Sequence, residues 1–309
     1  MFFEVSSLTY HIPITIDSFT YDACVGTALR LSLCVSIDEV GYLGYDAAYF
    51  GPFIPELSIP MTKALQPLKD KIALVVGGSR GIGAGIARRL AEDGAGIALT
   101  YAAAADKANE LVQQITAGGV RAIAIKADSG NEAELRDAVA KTMQQFGRLD
   151  ILVVNAGVLI RGGILEYRME DLDRSLAVNV RGVVVAIQAA AAHMGQGGRV
   201  ITIGSNTAVR TGFPGSSIYS MTKGAIASLV RGVAIDLAPR GITVNNVQPG
   251  PTVTDMTSVP GMAEAVKPLI PLGRMGSTAE IAAMVAYLVG PESGFVTGAS
   301  MTIDGGYVA

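Results

Sequence analysis

The sequence is poor in cysteine, has no excess of basic residues and lacks a long apolar run. Cys24 and Cys34 both lie in the first 60 of 309 residues, so neither a disulfide framework nor a zinc site is expected to hold the rest of the chain together. A formal charge of −3 argues against nucleic acid as a partner. No uncharged apolar run reaches the roughly 18 residues that a membrane-spanning helix needs. These features favour a cytoplasmic protein.

The first 60 residues differ in composition from the rest. They hold ten of the eighteen Phe and Tyr residues, and their seven acidic residues outnumber one basic residue, Arg30. The apolar run 23–37 contains that arginine and lacks a basic flank, which is atypical of a signal peptide or a membrane helix. An ordered appendage, an interaction arm, a poorly ordered stretch and a misassigned start are all open. Because the 249 residues from Met61 onward look complete, we predict that 1–60 are a dispensable extension of a single domain, 61–309.

After residue 70, short apolar runs alternate with helical patterns. This alternation predicts βαβ units with right-handed crossovers and a parallel sheet. Seven such strands predict an α/β fold of the Rossmann type, a doubly wound sheet whose ligand crevice lies at the carboxyl ends of the strands. The predicted strands are 72–76, 96–101, 121–126, 150–154, 199–203, 242–247 and 299–303, and the helices include 106–117, 132–146 and 218–237.

A glycine-rich turn follows the first of these strands. Residues 71–90, KIALVVGGSRGIGAGIARRL, combine an apolar strand, a glycine cluster and the start of a helix. Glycines permit a tight turn and close approach of the backbone to a ligand, and the helix N-terminus offers unpaired N–H groups to a pyrophosphate. An ordinary turn is the alternative, but the strand–turn–helix context favours dinucleotide binding.

A tyrosine and a lysine lie four residues apart further along the chain. On a helix, Tyr219 and Lys223 share one face. An ammonium group beside a phenol favours the phenolate, which would lower the pKa of the tyrosine toward the range of a general acid. A surface lysine beside a packed tyrosine would give the same pattern, so the pair alone is weak support for a proton-transfer site.

Together these segments resemble the short-chain dehydrogenase/reductase family, from about Leu68 to the C-terminus. The matching motifs are VGGSRGIG, LDILVVNAG, the tyrosine–lysine pair and NNVQPGPTVTDM. The resemblance implies an enzyme that transfers a hydride between a nicotinamide cofactor and a carbonyl or alcohol. Val76 departs from the family, which usually carries a threonine there to tie the turn to the neighbouring strand. We expect a modest effect from this change.

The resemblance assigns four catalytic residues. Tyr219 would donate a proton to the developing alkoxide, and Ser205 would hydrogen-bond the same oxygen. Lys223 would lower the pKa of the tyrosine and hold the nicotinamide ribose, and Asn179 would support a proton relay through water. Ser205 precedes Tyr219 by fourteen residues, whereas the usual spacing is thirteen, so Asn206 is the alternative. We favour Ser205 because it directly follows the strand RVITI and its glycine.

The resemblance also implies a set of cofactor-binding residues. Asp128 would hydrogen-bond the adenine, although an aspartate that caps the next helix is an equal alternative. Thr252 and Thr254 would contact the nicotinamide carboxamide and the pyrophosphate, unless they only form part of a Pro-Gly turn. The full set is Gly77, Ser79, Arg80, Gly81, Ile82, Gly83, Tyr101, Asp128, Ser129, Asn155, Ala156, Gly157, Tyr219, Lys223, Pro249, Gly250, Thr252 and Thr254.

The end of the second strand predicts which nicotinamide cofactor is bound. An acidic residue there accepts the ribose hydroxyls of NAD and would repel the additional phosphate of NADP. This sequence has Tyr101 in that place, and Arg80 in the glycine turn can pair with a phosphate. Lys107 is a weaker second cation, and Arg80 as a solvated turn residue is the alternative. We predict NADP(H).

The substrate site is expected to be largely apolar. It would be formed by 158–160, 210–214 and the segment after Thr254, with Phe213 and Met256 prominent. This composition favours a hydrophobic or modestly polar carbonyl compound, either a ketone or a 3-oxoacyl thioester of the kind that many family members reduce. Arg210 would receive an anionic group, or it is a surface arginine.

A binding protein is the alternative function. The runs GGSRGIG, LDILVVNAG and PRGITVNNVQPGP are similar to a bacterial branch of the family that includes a cyclic-di-GMP-binding biofilm-dispersal protein. The complete set of catalytic residues argues against a role in binding alone. Small residues in 219–237 permit close helix packing, so a homodimer or homotetramer is expected, although packing within one subunit is an alternative.

Overall fold

The computed structural model describes residues 66–255, 257–258 and 261–309 in full, together with two short strands near the N-terminus. These strands, Glu4–Val5 and Leu8–Thr9, pair antiparallel. The other residues of the segment 1–60 lie outside the described residues. Both its dispensability and the domain boundary at 61 therefore stay predictions.

Seven strands form one sheet in which every pair of neighbours is parallel. The strands are β1 (Ile72–Val76), β2 (Gly96–Tyr101), β3 (Ala122–Lys126), β4 (Ile151–Val154), β5 (Arg199–Ile203), β6 (Thr243–Pro249) and β7 (Ser300–Ile303). Their order across the sheet is β3-β2-β1-β4-β5-β6-β7. The predicted α/β Rossmann-type doubly wound sheet is confirmed, and every predicted strand is present.

Helices cover both faces of this sheet. Several have clear end signals: Asn131 caps α3 by accepting hydrogen bonds from two backbone N–H groups, and Ser277 and Glu280 form a capping box at α8. None of the helices in the described part of the chain is both long and apolar enough to span a membrane. The helices are α1 (Gly81–Glu92), α2 (Ala105–Ala117), α3 (Glu132–Phe146), α4 (Met169–Leu176), α5 (Gly182–Ala191), α6 (Ser217–Leu237), α7 (Met262–Val266) and α8 (Thr278–Val289).

The two faces of the sheet bury separate hydrophobic clusters. Along β1, Ala73 and Val75 belong to one cluster and Leu74 and Val76 to the other, as alternating side chains on a strand require. All five residues of β1 are buried. The apolar run that was recognisable in the sequence is therefore a central strand with helices on both sides.

The direction of the winding reverses between β1 and β4, and a crevice opens there at the carboxyl ends of the strands. The backbone N–H groups of Asn155 and Ala156, just after β4, both donate to the carbonyl of Val76, at 3.0 and 2.9 Å. These bonds hold the two strand ends together. In doubly wound sheets such a switch point is where ligands bind.

Candidate active site

Thr100 on β2 ties the glycine turn to the sheet. The N–H of Gly77 donates to the Thr100 hydroxyl at 2.9 Å, and the N–H of Gly78 donates to the Thr100 carbonyl at the same distance. Thr100 is fully buried. The neighbouring strand therefore supplies the hydroxyl that Val76 lacks. Sequence reasoning missed Thr100, since its only signal was a polar residue inside an apolar strand.

The turn itself is shaped by close contacts that only glycine permits. Gly77 has a φ of +77°, and its carbonyl accepts a hydrogen bond from the Asn155 side chain at 2.7 Å. A Cβ on Gly83 would overlap that same carbonyl oxygen. Helix α1 begins with Arg80 at its N-cap and has no side-chain cap. Its first residues, Gly81 and Ile82, line the crevice. This cradle fits a pyrophosphate.

Asp128, the residue predicted to contact adenine, is held by an arginine from α4. The two terminal guanidinium nitrogens of Arg174 each donate to its carboxylate at 3.0 Å, and the N–H of Gly130 donates to it at 2.9 Å. The hydrogen bonds from Arg174 lower the pKa of Asp128. The alternative, that Asp128 caps the next helix, is wrong because Asn131 caps α3.

The two cations predicted near the cofactor phosphate have different surroundings. Arg80 is exposed at the rim of the crevice. Lys107, on α2, forms an ion pair with Asp255 in the loop after β6. A hydrogen bond from Lys107 lowers the pKa of Asp255, and the charge of Arg80 contributes to a smaller degree. Tyr101 lies beside them, partly buried at the end of β2.

Three of the predicted catalytic side chains meet in the crevice. Tyr219, on α6, lies with its ring centroid 5.6 Å from the ammonium nitrogen of Lys223, and that nitrogen donates to the carbonyl of Ile203 at 2.9 Å. Ser205 follows β5 after one glycine, Gly204, and its hydroxyl accepts hydrogen bonds from the N–H and hydroxyl of Thr207. All three predicted residues line the same crevice.

Burial dominates the titration of the tyrosine–lysine pair. It raises the pKa of Tyr219 to about 12, and a hydrogen bond with Ser205 lowers this pKa in part. Burial lowers the pKa of Lys223 to about 8. The pKa of Tyr219 is therefore raised rather than lowered in this structure because burial dominates, and the lowering expected from Lys223 stays a prediction. Tyr219 is therefore protonated at neutral pH.

Asn179 lies behind the crevice in a π-helical segment, Ala177–Arg181, between α4 and α5. Its amide group donates to the carbonyl of Val158 at 2.9 Å and accepts from the N–H of the same residue at 2.8 Å. A Cβ on Gly157 would lie 3.4 Å from the Asn179 oxygen and 3.5 Å from the Lys223 nitrogen. Asn179 therefore fixes the loop after β4 close to the lysine. A π segment inside a helix often marks a functional site.

The side chain of Asn206, the alternative to Ser205, turns away from Tyr219. It donates to a carboxylate oxygen of Asp304 at 3.3 Å and is 4% exposed. Of the two residues, only Ser205 affects the pKa of Tyr219, which it lowers. The additional residue between serine and tyrosine is thus accommodated in the loop after β5.

The threonines after β6 are organised by a third one, which sequence reasoning missed. The hydroxyl of Thr257 donates to the carbonyl of Thr252 at 2.6 Å and accepts from the N–H of Thr254 at 2.9 Å. Gly250 packs so closely on Asp304 that a Cβ would overlap its side chain. This loop closes the crevice beside the glycine turn.

Most predicted site residues line one crevice of about 580 Å³. Gly83 and Asn179 lie behind its wall, and Met256 is outside the described residues. In the described part of the chain, no three His, Cys, Asp or Glu side chains group as metal ligands would. The predicted residues on the wall are Gly77, Ser79, Arg80, Gly81, Ile82, Tyr101, Asp128, Ser129, Asn155, Ala156, Gly157, Ser205, Tyr219, Lys223, Pro249, Gly250, Thr252 and Thr254.

The substrate end of the crevice differs in part from the expectation. Val158 and Phe213 line it as predicted, whereas Arg210 does not: its guanidinium donates to the carbonyl of Tyr307 at 2.9 Å. As an exposed residue outside the crevice, Arg210 is not placed to receive an anionic group there. Arg161 lines the crevice instead, 5.8 Å from the ring centroid of Phe213.

Comparisons with known proteins cover the domain from β1 to the C-terminal tail. Residues 76–308 match the family described as Enoyl-(Acyl carrier protein) reductase. The cyclic-di-GMP-binding biofilm dispersal mediator protein of Escherichia coli is 43% identical over 240 residues, 77% of this chain and 98% of that protein. A solved short-chain dehydrogenase/reductase from Serratia marcescens is 53% identical, with a TM-score of 0.77 over 79% of this chain and 100% of that one. A short-chain dehydrogenase from Burkholderia cenocepacia, solved in complex with NADP, is 47% identical, with the same TM-score of 0.77 and the same coverages of 79% and 100%.

Proposed function

Because the chain belongs to the short-chain dehydrogenase/reductase family, we propose that it is an NADPH-dependent oxidoreductase that reduces a ketone or 3-oxoacyl carbonyl to the alcohol. One observation carries this proposal. A protonated tyrosine, partly exposed to the crevice, shares it with a lysine, a serine and a glycine turn that can hold a dinucleotide. These are the parts that carbonyl reduction needs.

The cofactor half of the crevice supports NADP(H). The glycine turn brings backbone close to a pyrophosphate, and the first turn of α1 offers N–H donors. Arg80 is exposed at the rim, where it can pair with the additional phosphate, and Tyr101 leaves that place without an acidic side chain. The solved relative from Burkholderia cenocepacia is a complex with NADP. When bound, the cofactor supplies the hydride.

The catalytic residues would then act on the substrate oxygen. Tyr219 donates its proton to the developing alkoxide, because its pKa of about 12 keeps it protonated at neutral pH. Ser205 donates a hydrogen bond to the same oxygen, which stabilises charge that appears only in the transition state. With a pKa of about 8, Lys223 remains charged at neutral pH and stabilises the phenolate that Tyr219 leaves.

Asn179 would act through its neighbours in this scheme. Its side-chain amide donates hydrogen bonds to the carbonyl of Val158 and to the hydroxyl of Thr222, one residue before Lys223. It therefore positions the loop after β4 against α6. The proton relay through water that the resemblance implies at Asn179 is part of this proposal.

An activity panel tests the proposed reaction. The purified full chain is assayed by NADPH absorbance with ketones and 3-oxoacyl thioesters, and NADH is compared at equal concentration. We expect oxidation of NADPH that depends on the carbonyl compound and is much weaker with NADH. Absence of turnover with every compound, while NADPH still binds, would contradict the assignment.

A second function is favoured by the relative from Escherichia coli, whose name states cyclic-di-GMP binding. In this case the crevice would bind the guanine dinucleotide, and reduction would be secondary. Titration of cyclic-di-GMP against the protein, with and without NADPH, distinguishes the two. Binding that NADPH displaces, without carbonyl-dependent turnover, would favour this function.

The oligomeric state stays a proposal as well. On α6, Ala225 and Gly232 are exposed, and a Cβ on Gly232 would meet no other atom within 4 Å. Packing within the described subunit therefore does not account for these small residues. A homodimer or homotetramer that uses α6 would do so, and light scattering on the purified protein measures it.

A further inference from the structure

The C-terminal tail is fastened to the segment that precedes Tyr219. Asp304, directly after β7, accepts hydrogen bonds from the N–H groups of Gly306 and Val308 at 3.0 and 3.1 Å. The same carboxylate receives the side chain of Asn206. One aspartate thus joins the turn of the tail to the loop that carries Ser205.

Tyr307 is the residue of the tail that this arrangement fixes most firmly. Arg210 donates to its carbonyl and places its guanidinium 5.4 Å from the ring centroid. The side chain is 4% exposed and packs with Val266, Ile270 and Met275. A side chain held in this way has little freedom to move, so its hydroxyl has a defined position.

The hydroxyl of Tyr307 lies at the wall of the substrate end. It is so close to Gly212 that a Cβ there would overlap it, and both residues line the crevice. Within the described part of the chain, this hydroxyl has no hydrogen-bond partner. The hydroxyl oxygen is not among the fully buried side-chain atoms without a partner in this part of the chain, so it is open to the crevice and free to bond a ligand.

We propose that Tyr307 is a specificity-determining residue whose hydroxyl donates a hydrogen bond to a second oxygen of the substrate. That oxygen would be a carbonyl of an ester or thioester carried beyond the ketone that is reduced, while the ring of Tyr307 supports the apolar wall with Phe213. This inference rests on the proposed carbonyl reduction. It narrows the substrate from ketones in general to ketones with a nearby acceptor oxygen.

Two matched substrates test the inference. One is a 3-oxo ester, and the other is a ketone of the same length in which a methylene group replaces the ester carbonyl. Tyr307→Phe removes only the hydroxyl, and Tyr287→Phe, at a 45% exposed position on α8, is the control. We expect Tyr307→Phe to lower kcat/KM for the ester by roughly fivefold to tenfold, mainly through KM, with the plain ketone changed less than about twofold.

The outcomes separate a hydrogen bond from a packing role. Equal losses with both substrates would mean that Tyr307 only supports the wall, and unchanged values with both would mean that its hydroxyl contacts no substrate oxygen. Either result overturns the inference while the proposed reduction stands. If the unmodified protein oxidises NADPH with neither ketone and with no other carbonyl compound, both proposals fall.

Discussion

The two halves of the crevice are built in different ways. In the cofactor half, the surface that faces a ligand is mostly backbone, namely the glycine turn and the first residues of α1. In the substrate half, the wall consists of side chains from distant segments, such as Phe213 and Tyr307. A site made of backbone needs particular residues at fixed spacings, whereas a site made of side chains can be assembled from many sequences. The first kind is therefore visible in a sequence and the second is not.

The largest effect is expected from a substitution that removes only the proton donor. Tyr219→Phe deletes the proton donor and keeps the ring, so kcat for carbonyl reduction should fall by about 10³-fold. NADPH affinity, measured by fluorescence titration, should change less than about twofold because the cofactor half is intact. Tyr287→Phe serves as the control. A variant that keeps near-normal kcat would remove Tyr219 from the mechanism.

Gly83→Ala is expected to act in the opposite way, on NADPH affinity rather than on the proton-transfer step. The new Cβ overlaps the Gly77 carbonyl and lies 2.6 Å from the Asn155 amide nitrogen, so α1 must shift away from the turn that receives the pyrophosphate. We expect the Kd for NADPH to rise by about 10²-fold, equivalent to about 2.7 kcal/mol. Gly195→Ala is the control, because a Cβ there meets nothing within 4 Å. Unchanged NADPH affinity would show that the backbone cradle is not the binding surface.

Lys223 lies between the two halves, and its charge should appear in the pH dependence of stability. Burial lowers its pKa from 10.5 to about 8, so between these values the unfolded chain binds more protons than the folded protein. The free energy of unfolding therefore gains a contribution that rises with pH from about 8 to 10, by roughly 2 kcal/mol. Above pH 10, the raised pKa of Tyr219 acts in the opposite direction.

Denaturant unfolding at several pH values measures this contribution. The rise should be absent in Lys223→Met and present in Lys126→Met, which changes an exposed lysine on β3. If the free energy of unfolding rises equally with pH in both variants, the burial of charged Lys223 does not destabilise the folded protein.

The smallest expected effect concerns the support of the glycine turn. Thr100→Val leaves the N–H of Gly77 without its acceptor, which should lower the free energy of unfolding by roughly 1–2 kcal/mol and weaken NADPH binding in proportion. Adding Val76→Thr restores the residue that the family usually carries and should recover part of both losses. Differential scanning calorimetry and NADPH titration report the two quantities. If Thr100→Val alone changes neither, the turn is held by the other backbone bonds.

The sequence was sufficient for the strands, the helices and the glycine turn because local periodicity and glycine spacing determine them. The family resemblance identified Ser205, Tyr219 and Lys223 as candidate site residues. It did not predict the raised pKa of Tyr219, because that value depends on burial by segments far along the chain. The sequence also suggested Arg210 as a cation at the substrate site, because of its charge and its position in the segment 210–214. Only the folded chain shows that it holds Tyr307 and that Arg161 lines the crevice.

The π-helical segment Ala177–Arg181 joins α4 to α5 with one residue more than a continuous α-helix would have there. A π turn holds one residue more than an α turn, so a deletion of one residue there would let α4 run straight into α5. Because the π turn absorbs this additional residue, the side chains of α5 would keep their orientation, and Gly182, whose missing Cβ makes room for the Ser129 carbonyl, would stay in place. The side chains within the segment, including Asn179, would change direction. The π turn therefore sets where the Asn179 side chain points without altering how α5 packs.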